Sequence, residues 1–448
     1  MASDQHHHHH HQHQHQHQHQ HPWLSFLKSA MATISAPDRN NKKDNNNLNI
    51  LAFEVSTLMS KLLSLSRSLS DSNLSHLRYS ISSPGVRKVV SDDDSFLLAL
   101  IFAELTDSLR LISNSISHLS SRCSNPSLRS FPYAFKNFVS SGEDSHHWVL
   151  SSKDMLYKSK KMDRLISSTS DLHSQLHDLV DSEQLLKKLL HCSHEFSMNK
   201  ITTIAEAQQR VVRQRQQVEH LKQVSLWGCT FDAAVKLLAR SCFTVFARIL
   251  HAFGAGHAAP QRSLSAAVYP APPGPLISET TGLFEWSSRM LAAPEMTLGA
   301  AALAARYANV VIVVEKMMKA PGSVGQEGRD ELYGMLPDGV RGLVRRRLRG
   351  VVGPASDAEL AVEWREAISS IMAWLGPLAH DTVTWQTERF TPERRRSHVA
   401  GDVGPMLWRT LWFANREKVE AAVTELLVGL NYIWRFELEL SSRNRLRE

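Results

Sequence analysis

The sequence predicts an all-α protein. Apolar residues recur at spacings of three and four from Leu48 to Trp434, and no segment shows the sustained alternation that a strand needs. Hydrophobic residues make up 42 % of the 448 residues, which is enough for a large core and excludes a mostly disordered chain. We therefore expect two helical domains, joined by a long heptad-patterned helical hairpin and a proline-rich linker, after a disordered N-terminus rich in His and Gln.

Changes in composition divide the chain into segments. We predict a disordered low-complexity tail at 1–47, an N-terminal helical domain at 48–140, the hairpin at 150–225, a helical segment at 226–254, a linker at 255–296 and a C-terminal helical domain at 297–440. The tail holds a polyhistidine run and a Gln-His alternation, which bury too little apolar surface to fold. Whether this tract is native or Met31 is the true start stays open. Five prolines between 260 and 275 mark the linker, because proline disfavours helix in the residue before it.

Leucines at heptad spacing predict the hairpin. The first arm carries Leu165, Leu172, Leu176, Leu179, Leu186 and Leu190, and the second carries Ile204, Val211, Val218 and Leu221. The arms could pack on each other or on a second chain, so self-association through 155–224 remains an alternative.

Several patterns that often carry chemistry are weak in this sequence. Asp92-Asp93-Asp94 precedes a helix, where we expect capping in preference to a divalent-cation site. We expect a helix near Leu360 to Leu375. His380-Asp381 follows it, after Pro377, and could be half of a catalytic triad, but no nucleophile motif accompanies this pair. We therefore expect a cap or loop hydrogen bond there. Four widely spaced cysteines indicate neither a disulfide framework nor a zinc site. We therefore expect no catalytic residue, cofactor, metal or small-molecule substrate.

Two arginine clusters are the candidate binding residues. The first holds Arg341, Arg345, Arg346, Arg347 and Arg349, and the second holds Arg394, Arg395 and Arg396. We expect Val340, Leu343, Val344, Leu348 and Val351 to anchor the first helix, so that Arg341, Arg345 and Arg349 project on its far side. Such arginines suit an acidic protein partner, an import receptor or an anionic lipid surface, while an ordinary solvated face is the plainer alternative.

Charge and targeting signals bear on location. The net charge is +7 with an isoelectric point near 9.2, which favours anionic surfaces without naming nucleic acid. The apolar stretch from Trp23 to Leu27 is too short for a signal peptide, and no apolar run is long enough to span a bilayer. We expect an intracellular protein.

Several longer sequence segments suggest a family. In the N-terminal half they are Ile50-Leu-Ala-Phe-Glu-Val-Ser56, Ser68-Leu-Ser-Asp71, Gly85-Val-Arg-Lys-Val-Val-Ser-Asp-Asp93 and Arg122-Cys-Ser-Asn-Pro126. In the C-terminal half they include Thr297-Leu-Gly-Ala-Ala-Ala-Leu303, Arg329-Asp-Glu-Leu-Tyr-Gly-Met-Leu-Pro337 and Trp374-Leu-Gly-Pro-Leu-Ala-His380. These segments resemble sequences of the plant phytosulfokine-simulator-like family, which has paired N-terminal and C-terminal domains of unknown function.

The resemblance implies a plant regulator that promotes growth, is connected with phytosulfokine peptide-hormone signalling, lies in the nucleus and has no enzymatic activity. The chain begins Met1-Ala2-Ser3 and so lacks the Met-Gly start of an N-myristoylation motif. We expect a non-catalytic regulatory or scaffold protein that acts through protein partners. The alternative is a nucleic-acid or anionic-membrane binder that uses its arginine-rich helices, and the cytoplasm or the plasma-membrane periphery are alternative locations.

Overall fold

A computed structural model describes residues 47–191, 198–254, 282–321, 324–349, 355–390 and 406–445. These residues form fifteen α-helices and no β-strand; the only extended pairings among them are the isolated bridges Asn47–Thr230 and Thr297–Asn415. The predicted all-α class is confirmed. Within these ranges no helix combines the length and the apolar character needed to cross a membrane.

The helices are numbered in chain order. They are α1 (Leu51–Ser68), α2 (Asp71–Ile81), α3 (Pro84–Val89), α4 (Asp94–Ser120), α5 (Pro126–Arg129), α6 (Phe131–Ser141), α7 (Ser152–His191), α8 (Met198–Val224), α9 (Phe231–Gly254), α10 (Leu283–Met290), α11 (Ala304–Lys319), α12 (Gln326–Met335), α13 (Asp338–Leu348), α14 (Ala358–Phe390) and α15 (Arg416–Arg445). Of the described residues, those within 1–50 and 168–230 form one compact unit, and those within 51–167 and 231–448 form the other.

The first unit contains an antiparallel hairpin formed by α8 and the later part of α7. Arg215 on α8 pairs with Glu183 on α7 at 2.7 Å, and the Leu226 amide donates to the Thr169 hydroxyl at 3.1 Å. The buried seam consists of Leu172, Leu176, Leu179, Val211 and Val218. The heptad pattern extends further than the burial does, because Leu190 at the end of the first arm is 49 % exposed. The two arms therefore pack on each other within one chain.

The second unit has its core around two long helices. Helix α4 packs against α1, α9 and α10, and α14 packs against α11 and α15. An aromatic cluster joins α6 to α9, with the rings of Phe138 and Phe243 stacked at 4.7 Å between centroids. The N-terminal and C-terminal helical segments lie in this one unit, where α3 packs on α14. Periodicity predicts which face of a helix is apolar, but it does not predict which neighbouring helix packs against that face.

Helix α14 continues through Pro377 to Phe390, beyond Leu375, the last of the apolar positions that predict it. Proline has no amide hydrogen, so one hydrogen bond of the helix is lost at this point. The packing of α14 against α11 and α15 compensates for that loss. His380 and Asp381 consequently lie inside a helix and not in a loop.

The acidic trio before α4 caps the helix, as predicted. The Asp93 carboxylate accepts the Ser95 amide at 2.8 Å, and Asp94 pairs with Arg87. In the part of the chain that the structure describes, no group of three His, Cys, Asp or Glu residues is placed to hold a metal ion.

Candidate functional site

The first arginine cluster lies on α13, a short helix anchored by its apolar side. Val340 is fully buried and Val344 is nearly so, while Leu343 and Leu348 are half-buried. Arg345, Arg346 and Arg347 occupy the last turn and Arg349 follows it, where the carbonyl end of the helix favours positive charge. Val351 lies outside the described residues. The burial of one side fixes which arginines can face outward.

Arg341 is engaged within the fold. Its guanidinium donates to the Gly334 carbonyl at 2.9 Å, approaches Asp338 at 3.3 Å and lies 5.6 Å from the centre of the Tyr333 ring. Spacing alone predicts that Arg341 projects, but the carbonyl at the end of α12 lacks a donor from its own helix and takes one from Arg341. Arg341 therefore joins α12 to α13.

Arg347 is also occupied, because it forms an ion pair with Glu425 on α15 at 2.6 Å. Arg345, Arg346 and Arg349 remain exposed on one side of α13. A Cβ added to Gly342, on the same side, would meet no atom within 4 Å, so this side is open. Arg394, Arg395 and Arg396 lie outside the described residues. We call Arg345, Arg346 and Arg349 the arginine face.

Aromatic rings hold neighbouring guanidinium groups in place. The guanidinium of Arg345 lies 5.7 Å from the centre of the Tyr333 ring, and that of Arg329 on α12 lies 3.4 Å from the centre of Trp434. Cation–π contacts of this kind restrict a long side chain without neutralising its charge. A restricted guanidinium loses less entropy when it binds a carboxylate or phosphate through two parallel hydrogen bonds. Of the arginine face, Arg345 is restricted in this way, which favours binding of an oxyanion there.

One buried acid was missed by the sequence analysis. Glu104 lies on α4 with its Oε2 atom buried, and its Oε1 atom accepts a hydrogen bond from the Leu407 amide at 2.6 Å. Burial raises the pKa of Glu104 to about 7, against the lowering effect of hydrogen bonds from the Leu407 and Trp408 amides. The Oε2 atom has no hydrogen-bond partner among the described residues. The available signal was a single acidic residue in the apolar run from Phe96 to Leu105.

His380 and Asp381 do not act together. His380 pairs with Glu315 on α11 at 2.7 Å, whereas Asp381 pairs with Arg409 at 3.0 Å. The hydrogen bond from His380 lowers the pKa of Glu315. These two pairs connect α14 to its neighbours, and no serine or cysteine nucleophile takes part in them.

Comparison with known proteins agrees with the family resemblance of the sequence segments quoted above. Residues 50–105 match a domain of unknown function (DUF3475), and residues 297–384 match a protein family of unknown function (DUF668). The resemblance inferred from the sequence is confirmed. The chain is 24 % identical to Protein PSK SIMULATOR 1 of Arabidopsis thaliana over 399 residues, which cover 87 % of this chain and 56 % of that protein. It is 25 % identical to PSK SIMULATOR 3 over 87 % of this chain and 56 % of the relative.

A third PSK SIMULATOR relative, number 2 from the same plant, is 24 % identical over 88 % of this chain and 60 % of its own length. The chain thus spans somewhat more than half the length of these PSK SIMULATOR proteins. No solved structure matches it. The two matched domains touch directly: Gly85 in the first lies against Trp374 in the second.

Proposed function

We propose that this chain is a non-catalytic regulatory protein of phytosulfokine-related signalling, which promotes growth by binding protein partners in the nucleus. The similarity to three proteins named PSK SIMULATOR supports the signalling role. The observation that carries the binding role is the arginine face of Arg345, Arg346 and Arg349, which is exposed on a helix held by buried valines.

The partner that fits this face is an acidic or phosphorylated protein segment. Three neighbouring guanidinium groups repel one another, and carboxylates or phosphates would turn that repulsion into attraction. A purely structural explanation also exists, because cations in the last turn of a helix stabilise it by about 0.3–1 kcal/mol. Lysine would serve that structural purpose equally well, but it cannot form the paired hydrogen bonds of a guanidinium. The two explanations therefore predict different outcomes for an arginine-to-lysine change.

The test is affinity capture from plant cells with the full chain. We expect R345K/R346K/R349K to keep wild-type thermal stability but to lose captured proteins, and R345E/R346E/R349E to lose the same proteins completely. A control with the same charge change, K188E/R210E/R213E, alters three exposed cations of the hairpin and should capture the wild-type set. The same variants, fused to a fluorescent protein, report nuclear localisation, and seedling growth reports the output.

Two outcomes would contradict the proposal. If both arginine-face variants retain wild-type partners and growth promotion, the arginines serve only solubility and helix stability. If capture depends on nucleic acid and falls steeply with salt, the face binds phosphate backbones, since such binding releases counterions.

A further inference from the structure

The first turns of α7 carry a basic face that the sequence analysis did not identify. Lys153, Leu156, Tyr157, Lys160 and Lys161 follow one another at helical spacing and share one side of the helix. All five are exposed, Leu156 at 59 % and Tyr157 at 66 %. On the opposite side Met155 and Met162 are buried, which fixes the orientation of the helix. We call these five exposed residues the lysine face.

Of the two acidic residues in this stretch, Asp163 pairs with a cation on another helix, while Asp154 bonds to a neutral hydroxyl of its own turn. Asp163 pairs with Arg67 on α1 at 2.5 Å, and Asp154 accepts a hydrogen bond from the Ser151 hydroxyl at 2.7 Å. Lys158 lies 5.5 Å from the centre of the Tyr157 ring, at the edge of the face. The lysine face therefore combines concentrated positive charge with two exposed apolar side chains.

We propose that the lysine face binds the surface of an anionic lipid bilayer. Clusters of lysine and arginine on a helix are attracted to anionic headgroups, and tyrosine and leucine can enter the boundary between headgroups and acyl chains. Protein–protein interfaces are depleted in lysine and favour arginine, which makes a protein partner the poorer fit here. This distinguishes the lysine face from the arginine face of α13, which lacks exposed apolar anchors of its own.

The test uses the full chain and sedimentation with lipid vesicles. Wild-type protein should bind vesicles of phosphatidylcholine with phosphatidylserine and should not bind vesicles of phosphatidylcholine alone. K160E/K161E should bind the anionic vesicles at least tenfold more weakly, because each lysine near such a surface contributes about fivefold in affinity. L156S/Y157S should also bind more weakly, although its charge is unchanged.

A matched control separates this face from general positive charge. K187E/K188E makes the same charge change at two exposed lysines farther along α7, and it should bind like wild type. Circular dichroism and thermal unfolding must show all variants to be folded. The proposal is overturned if wild type does not sediment with anionic vesicles, or if both charge reversals weaken binding equally.

The experiment also separates this proposal from the proposed function. If R345E/R346E/R349E loses vesicle binding while K160E/K161E keeps it, the membrane contact is on α13 and the lysine face has no such role. If an acidic protein binds at the lysine face while vesicles do not, the occupant is a protein and the inference is wrong. Loss of captured proteins in the arginine-face variants has no bearing on vesicle binding at α7.

Discussion

Gly85 on α3 lies directly against the backbone carbonyl of Trp374 on α14. A Cβ on Gly85 would stand 2.3 Å from that oxygen, well inside contact distance. The ammonium group of Lys88, one turn further along α3, lies 5.1 Å from the centre of the Trp374 ring. The two domains of unknown function therefore meet at a point where only glycine fits.

Replacing Gly85 with alanine should destabilise the protein. The added methyl group would push α3 away from α14, and overpacking of this kind costs about 1–3 kcal/mol. Gly342→Ala is the matched control: Gly342 also lies in a helix, but its added Cβ meets no atom within 4 Å. Alanine at position 342 should raise the free energy of unfolding by about 0.5–1 kcal/mol, since it is the better helix former. Chemical denaturation measures the free energy of unfolding of both variants. Equal changes in the two variants would refute the close contact.

Glu104 should make stability depend on pH. Its pKa is about 7 in the folded protein, while an exposed glutamate titrates near 4.5. The folded state therefore holds a proton that the unfolded state releases between these values. This proton stabilises the folded state fully below pH 4.5, and the stabilisation is lost as the pH rises through 7. The free energy of unfolding falls by about 3 kcal/mol in total.

Glu104→Gln removes this titration and isolates its contribution. The difference in unfolding free energy between the variant and wild type should grow in favour of the variant from pH 5 to pH 8. Urea denaturation at several pH values measures it, and other titrating groups cancel in the comparison. A difference that does not change with pH would mean that Glu104 is charged in the folded protein throughout.

The hairpin seam gives a third prediction. Leu176 and Leu179 are 4 % and 1 % exposed, so changing either to alanine should cost about 2–5 kcal/mol. Leu185→Ala is the control on the same helix, at a leucine that is 48 % exposed, and it should change stability very little. Thermal unfolding followed by circular dichroism reports the loss. If all three variants melt alike, the two buried leucines contribute nothing to the hairpin.

A fourth prediction concerns the connection between the two halves of the second unit. The Asn415 amide donates to the Val89 carbonyl at 2.7 Å, and the Leu407 amide donates to Glu104. A site for a specific protease, inserted after His257, should allow the chain to be cut without separating the halves. The cut protein should elute from a sizing column as one species and run as two bands in denaturing gels. Two separate peaks under native conditions would show that the interface is weak.

The sequence alone predicts the all-α fold class and many of the buried positions. It does not predict which helices pack against each other or which side chains contact each other. Spacing alone predicts the seam of Leu172, Leu176 and Leu179, because residues at heptad spacing share one side of a helix, and all three are buried. Spacing places Arg341 on the projecting side of α13, but it cannot show that the last carbonyls of the preceding helix need a donor. The contact between α3 and α14 could not be predicted either, because both helices are apolar on one side and nothing local specifies the partner.

The contact between Gly85 and Trp374 also bears on how such a protein can change over evolutionary time. A larger residue at position 85 would require the backbone of α14 to move, so a change on one side of the contact calls for a change on the other. Recombination that brought in a foreign N-terminal domain would place an unmatched helix on α14. We expect the two domains to be inherited as a pair, with compensating changes concentrated around this contact.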